Sequence, residues 1–119
     1  MNALILVVDD EGPLADLVAS LLFEEGYRVA VAYDGLSGFE TALRLKPNLI
    51  VSDVQMPKLD GMTLLRRLRS VGNTAPVILM SAVYIYETGI LAHFIPKPFD
   101  LDHLLEVVHD ALNDGTQAP

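Results

Sequence analysis

The sequence predicts an α/β domain built on a parallel, doubly wound sheet. Three observations carry this. Apolar runs of strand length recur along the chain, as in Leu4-Ile5-Leu6-Val7-Val8 and Leu49-Ile50-Val51. Such unbroken runs suit strands buried on both faces. Between them lie segments whose apolar residues repeat at helical spacing, and turn signals separate the two kinds about five times, the pattern of a sheet covered by helices on both sides.

The first strand is Leu4–Val8. Pro13, favourable in a first helical turn, opens a helix whose apolar stripe is Leu14, Leu17, Val18, Leu21 and Leu22, and Gly26 is its stop signal. Tyr27 to Ala32 reads as the second strand. Asp34 caps a second helix carrying Leu36, Phe39 and Leu43, ended by Pro47. Leu49 to Ser52 is the third strand. Asp60-Gly61 opens a helix with Met62, Leu65 and Leu68 on one side, closed by Gly72. Pro76 to Met80 is the fourth strand, and Phe94-Ile95 a short fifth. Asp100 caps a last helix with Leu101, Leu104, Leu105, Val108 and Leu112 on one face.

With 119 residues, the expectation is a single domain over 1–119 that buries about two-thirds of its open-chain surface. With no cysteine, it has neither a disulfide framework nor a thiolate metal site. The charge-free run ending at Tyr86 is broken by Gly72, Asn73 and Pro76, so no membrane span is expected. No basic segment precedes the first apolar run, so no signal peptide is expected, and the expected location is cytoplasmic. Sixteen acidic against 8 basic residues give a net charge of −8. This disfavours direct nucleic-acid binding and favours cations and basic partner surfaces.

In a doubly wound sheet, ligands gather at the carboxyl ends of the strands. There the sequence places Asp9, Asp10 and Glu11 after the first strand, Asp53 after the third, Ser81 after the fourth and Lys97 past the fifth. Taken singly each has a plain reading: an N-cap, a turn residue, a solvated lysine. Taken together they crowd like charges, and two unit charges at ~4 Å repel by about 4 kcal/mol at an effective dielectric of 20. Lys97 or a hard divalent cation such as Mg²⁺ or Mn²⁺ would relieve this. His93, His103 and His109 lie away from the cluster, at no metal-ligand spacing.

Four segments in order, Val7-Val8-Asp9-Asp10-Glu11, Asp53-Val54-Gln55-Met56-Pro57 with Asp60-Gly61, Met80-Ser81-Ala82 and Lys97-Pro98-Phe99, resemble the receiver domain of two-component response regulators over essentially the whole chain. The resemblance implies a flavodoxin-like strand order 2-1-3-4-5. It implies that Asp53 is the phosphoacceptor, served by a sensor histidine kinase or histidine phosphotransfer protein. It further implies that Mg²⁺ is held by Asp10, Asp53 and the Gln55 backbone carbonyl, with Asp9 close by or acting through water. Lys97 would pair with Asp53 and then with the phosphoryl group across a cis Lys97–Pro98 bond. Ser81 would donate its hydroxyl to a phosphoryl oxygen as the switch. Phe94 has two open readings, an aromatic switch residue or plain core. By this reading the protein is no enzyme for a separate substrate; it catalyses only its own phosphoryl transfer and dephosphorylation, and it signals to an unknown downstream protein.

Two alternatives stand beside it. One is a pseudo-receiver that binds partners without phosphorylation. The other is an aspartyl-phosphate phosphohydrolase, weakened because Gln55 stands where that class carries a second acid. After the last helix only Asp114 to Pro119 remain, so no output domain is expected in this chain, whether it stands alone or is part of a longer protein.

Between Ser81 and Lys97 lie only Ala82 to Pro96, shorter than the family pattern by roughly a helical turn and a half. Val83, Tyr84, Ile85 and Tyr86 are poor helix formers, and Gly89 interrupts the remainder of the segment. A shortened or missing fourth helix is expected, with that apolar segment folded back over the sheet or forming a homodimer through the Ala82–Phe94 region.

Overall fold

A computed structural model of the chain describes residues 2–81 and 93–114. Its elements are β1 (Leu4–Val8), α1 (Gly12–Glu24), β2 (Arg28–Ala32), α2 (Gly35–Leu45), β3 (Leu49–Asp53), α3 (Gly61–Ser70), β4 (Val77–Ser81), β5 (His93–Pro96) and α4 (Leu101–Asp114). The five strands form one parallel sheet in the order β2-β1-β3-β4-β5. This is the flavodoxin-like doubly wound arrangement. The expected shortened or missing helix between Ser81 and Phe94, and the homodimer face drawn from it, lie outside the described residues.

Alternation along the strands sorts the core into two layers, because successive side chains point to opposite faces. Leu6, Val8, Ile50 and Leu79 face α2 and α3, meeting Ala42, Leu64, Leu65 and Leu68. Ile5, Val7, Val51, Ile78, Met80 and Ile95 face α1 and α4, meeting Val18, Leu22, Leu104 and Val108. All of these residues are essentially sealed from solvent.

The helix boundaries follow local chemistry. Asp34 Oδ1 accepts from Ser37 N at 2.7 Å and Asp60 Oδ1 from Thr63 N at 2.8 Å, satisfying amides that a helix start leaves free. Asp100 does the same for Asp102 N at 2.9 Å. Helices α1 and α3 end alike: Gly26 (φ 97°) and Gly72 (φ 83°) take left-handed conformations, and the amides of Tyr27 and Asn73 bond back to the carbonyls of Leu22 and Leu68. Tyr27 therefore belongs to the helix end, and β2 starts one residue later than expected. Likewise Pro76, without an N–H, lies just outside β4, although its carbonyl accepts from Ile50 N at 3.0 Å.

Candidate functional site

Strands β1, β3, β4 and β5 deliver their carboxyl ends to one place. The chain leaves β1 into Asp9 and Asp10, β3 ends on Asp53, β4 ends on Ser81, and β5 runs through Pro96 into Lys97. Carboxylate oxygens of Asp9, Asp10 and Asp53 lie within 4.8 Å of one another. Asp9 is buried at 1% exposure and Asp53 at 6%, while Asp10 is exposed. The Lys97 ammonium reaches into the cluster, 3.2 Å from Asp53 Oδ1 and 3.9 Å from Asp9 Oδ2.

The three acids are not merely a helix cap. Glu11 is the N-cap of α1 and makes no side-chain capping bond. Asp9 Oδ1 instead turns back to accept from Glu11 N at 2.9 Å. Asp9 Oδ2 is buried and has no hydrogen-bond partner among the described residues, an expensive state for an ionised oxygen. Burial raises the Asp9 carboxyl above its ordinary value; the Glu11 amide opposes this, and the neighbouring Asp53 charge adds to the rise. One lysine cannot offset three carboxylates. A hard divalent cation fits the residues present: the donors are all oxygen, surplus negative charge remains, and one buried oxygen lacks a hydrogen-bond partner among the described residues.

Backbone packing sets Asp53 in place. Val54 N donates to Met80 O at 2.9 Å, extending the β3–β4 ladder past Asp53, and Gly61 N donates to Val54 O at 2.8 Å. A Cβ on Gly61 would stand 2.4 Å from Asp53 O, so only glycine lets α3 start this close to β3. The buried Ser52 hydroxyl donates to Asp53 O at 2.9 Å. On the other side Lys97 N donates to Ser81 O at 2.8 Å, and Lys97–Pro98 is cis, as the resemblance implies. Ser81 is buried beside this junction, opposite Pro96 in the ladder.

Gln55 is exposed at the rim and Met56 buried beneath it. Phe94 is 40% exposed on edge strand β5, paired with Leu79, which sets aside its reading as plain core. His93, His103 and His109 take no part in the acidic cluster.

Sequence reasoning missed the glycines of α2 behind the site. A Cβ on Gly38 would meet both Val8 γ-methyls at 2.9 Å, and one on Gly35 would strike the Leu59 carbonyl. The signal was present as two glycines three apart, on one helix face, opposite the strand that leads to Asp9.

A doubly wound sheet with an acidic pocket and a lysine at the carboxyl ends of its strands defines the class of domain. Comparison with known proteins agrees. A family model for the response regulator receiver domain matches residues 5–109. The chain is 35% identical, over 97% of its length and 51% of the other's, to the DNA-binding dual master transcriptional regulator RpaA of Synechocystis. It is 37% identical to the response regulator MprA of Mycobacterium ulcerans, over 88% of this chain and 48% of that one. It thus spans about half the length of the curated relatives it matches. Among solved structures, the receiver domain of Francisella response regulator 1452 superposes with a TM-score of 0.88 at 31% identity, covering 96% of this chain and 99% of that one. The receiver domain of the hybrid histidine kinase CckA gives 0.80 at 40% identity, covering 92% and 98%. The chain belongs to the response regulator receiver domain family.

Proposed function

We propose that this domain, read as one unit over residues 1–119, accepts a phosphoryl group on Asp53 and uses the modified state to alter partner binding. The convergence of Asp9, Asp10, Asp53 and Lys97 at one end of the sheet carries this reading. The donor is a phosphohistidine of a sensor kinase or phosphotransfer protein, in the cytoplasm. A carboxylate oxygen of Asp53 attacks phosphorus, the P–N bond breaks, and its electron pair leaves on the imidazole, giving an acyl phosphate. The transition state spreads charge over the phosphoryl oxygens. Lys97, already 3.2 Å from Asp53 Oδ1, follows that charge from carboxylate to phosphoryl.

Asp10, Asp53 and the Gln55 backbone carbonyl would hold Mg²⁺, or Mn²⁺ in its place, with Asp9 acting through water. The metal supplies charge neutralisation and orientation of the phosphoryl oxygens. Asp9, being buried, would act through water rather than as a direct ligand. Ser81 donates its hydroxyl to a phosphoryl oxygen, and the shift of that residue is passed to β5, where Phe94 is the candidate responder. An apolar groove of about 530 Å³ lined by Leu14, Leu17 and Pro98 adjoins Lys97 and gives the donor protein a seat beside the pocket. The domain acts on no separate substrate beyond its own phosphorylation and dephosphorylation.

The decisive experiment is chemical trapping. The protein is incubated with Mg²⁺ and acetyl phosphate, reduced with borohydride and mapped by mass spectrometry. Label at Asp53, lost in Asp53→Asn and without chelator-sensitive label elsewhere, is the expected result. Label on another residue overturns the assignment, and absence of label turns the reading to a pseudo-receiver.

A further inference from the structure

We propose that the groove between the C-terminal ends of α2 and α3 is a docking site for an acidic segment of a partner protein. The groove encloses about 510 Å³ at the amino ends of β3 and β4. It lies one strand length, roughly 16 Å, from the acidic pocket at the other end of the same strands. Its walls combine apolar and polar groups. Leu43 and Val71 stand 41% and 55% exposed, and Lys46, Asn48 and Asn73 lie among them. Asn48 Oδ1 accepts from Leu4 N at 2.8 Å, and Asn73 Oδ1 from Ala75 N at 3.0 Å. These bonds turn each amide oxygen to the backbone and leave each NH₂ to offer a ligand. Lys46 adds a side chain that only donates. Arg69 donates to Asn73 O at 3.0 Å, fixing the wall and bringing a second cation to it. The groove therefore favours acceptors, carboxylates above all, that come with an apolar neighbour for Leu43 and Val71.

The charge distribution points the same way. Residues 41–52 and 61–76, which include the groove lining, contain no acidic residue, yet hold five of the 8 basic residues of a chain with net charge −8: Lys46 in the groove itself, and Arg44, Arg66, Arg67 and Arg69 on the helices that lead to it. Basic residues in a last helical turn favour the helix macrodipole, and that alone would explain them if every helix did the same. They do not. Neither α1 nor α4 has a basic residue in its last turn, and neither contains any lysine or arginine, whereas the last turns of α2 and α3 carry Arg44, Arg67 and Arg69. Positive charge gathers at the last turns of the two helices on one sheet face and is missing from the other two, so the macrodipole, common to all four, does not by itself account for it. A patch of this sign in an acidic domain steers acidic partners to one place. A protein segment fits better than duplex nucleic acid, since a phosphate backbone has nothing to cover Leu43 and Val71, and the rest of the domain repels it.

The test titrates the ¹⁵N-labelled 119-residue chain with a short capped peptide of glutamates around one leucine, and with its lysine counterpart. The expected result is that the glutamate peptide alone shifts the amides of Leu43, Lys46, Asn48, Val71 and Asn73, and that binding weakens as salt rises. The double variant Lys46→Gln/Val71→Ser, altering two exposed side chains, should retain the wild-type melting temperature and bind about tenfold more weakly, about 1.4 kcal/mol. Shifts elsewhere, no shift at millimolar peptide, or undiminished binding by the double variant overturn the proposal. So does tighter binding of a duplex oligonucleotide to the same amides, or a concentration-dependent shift of those amides without peptide, which would make the occupant a second copy.

Discussion

Lys97 Nζ stands between two carboxylates at the ends of different strands, 3.2 Å from Asp53 Oδ1 and 3.9 Å from Asp9 Oδ2, with its side chain only 20% exposed. Removing it as Lys97→Met leaves the buried Asp9 carboxylate facing Asp53 with no cation. Breaking a fully buried pair costs about 3–5 kcal/mol, and partial exposure lowers this to about 1–3 kcal/mol here. Since a bound divalent cation would offset the same carboxylates, the gap between variant and wild type should narrow in saturating Mg²⁺. Urea denaturation with and without Mg²⁺ measures both. A gap that Mg²⁺ leaves unchanged would show that Lys97 and the metal do not serve the same charges.

Exposed Asp10 and buried Asp9 should differ as metal residues. Asp10→Asn should weaken Mg²⁺ binding by about tenfold or more, because it removes a ligand charge. Asp9→Asn should weaken it less and should stabilise the metal-free fold, since it removes a carboxylate whose buried Oδ2 has no hydrogen-bond partner among the described residues. Calorimetric titration gives the affinities and denaturation the stabilities. Equal affinity in wild type and Asp10→Asn refutes the ligand role; a destabilised metal-free Asp9→Asn refutes the account of Asp9.

The pocket was legible because apolar strands end abruptly on ionisable residues: Val8 on Asp9, Ser52 on Asp53, and Pro96 on Lys97. The unbroken apolar runs then gave strands buried on both faces. The features that stayed hidden depend on contacts between segments distant in sequence. Which of Asp9 and Asp10 is buried is decided by how the chain turns from β1 into α1, through the Asp9–Glu11 hydrogen bond. The closeness of α2 to β1 rests on Gly38 meeting Val8, two residues that no local pattern links. Phe94 read equally as core because a four-residue edge strand buries one side chain, Ile95, far better than its neighbour.

Asp34 should give the fold a measurable pH dependence. Its carboxylate accepts from Ser37 N at 2.7 Å and Ser37 Oγ at 3.2 Å, and the backbone bond chiefly holds its pKa below the ordinary 3.8. A depressed folded-state value means the stabilisation is fully present above the unfolded value and is lost as pH falls through the folded one. Asp34→Ala should therefore cost about 0.5–2 kcal/mol at pH 7. That difference should hold down to about pH 4 and shrink at lower pH. Urea midpoints of both proteins across this range are the measurement, and a difference that grows on acidification would contradict the sign.

Gly61→Ala and Gly38→Ala separate strain against backbone from strain against a side chain. An alanine methyl at position 61 would lie 2.4 Å from Asp53 O and 3.0 Å from Val54 Cα. These atoms belong to the sheet, so either α3 moves out or the end of β3 moves, and Asp53 moves with it. At position 38 the obstacle is the Val8 side chain at 2.9 Å, which is stiff but not part of a ladder hydrogen bond. Overpacking typically costs about 1–3 kcal/mol. Replacing a mid-helix glycine by alanine returns about 1 kcal/mol of helix propensity, which position 38 collects and position 61, at the first turn, largely does not. Gly61→Ala should therefore destabilise clearly, while Gly38→Ala should fall between neutral and about 2 kcal/mol. The functional contrast should be larger than the stability contrast. With both variants folded, acetyl phosphate should label Gly61→Ala at least several-fold more slowly, whereas Gly38→Ala should stay near wild type, since the sheet end carrying Asp53 is undisturbed. Equal labelling rates in the two variants would mean that α3 yields and β3 does not, removing Gly61 from the residues that position Asp53.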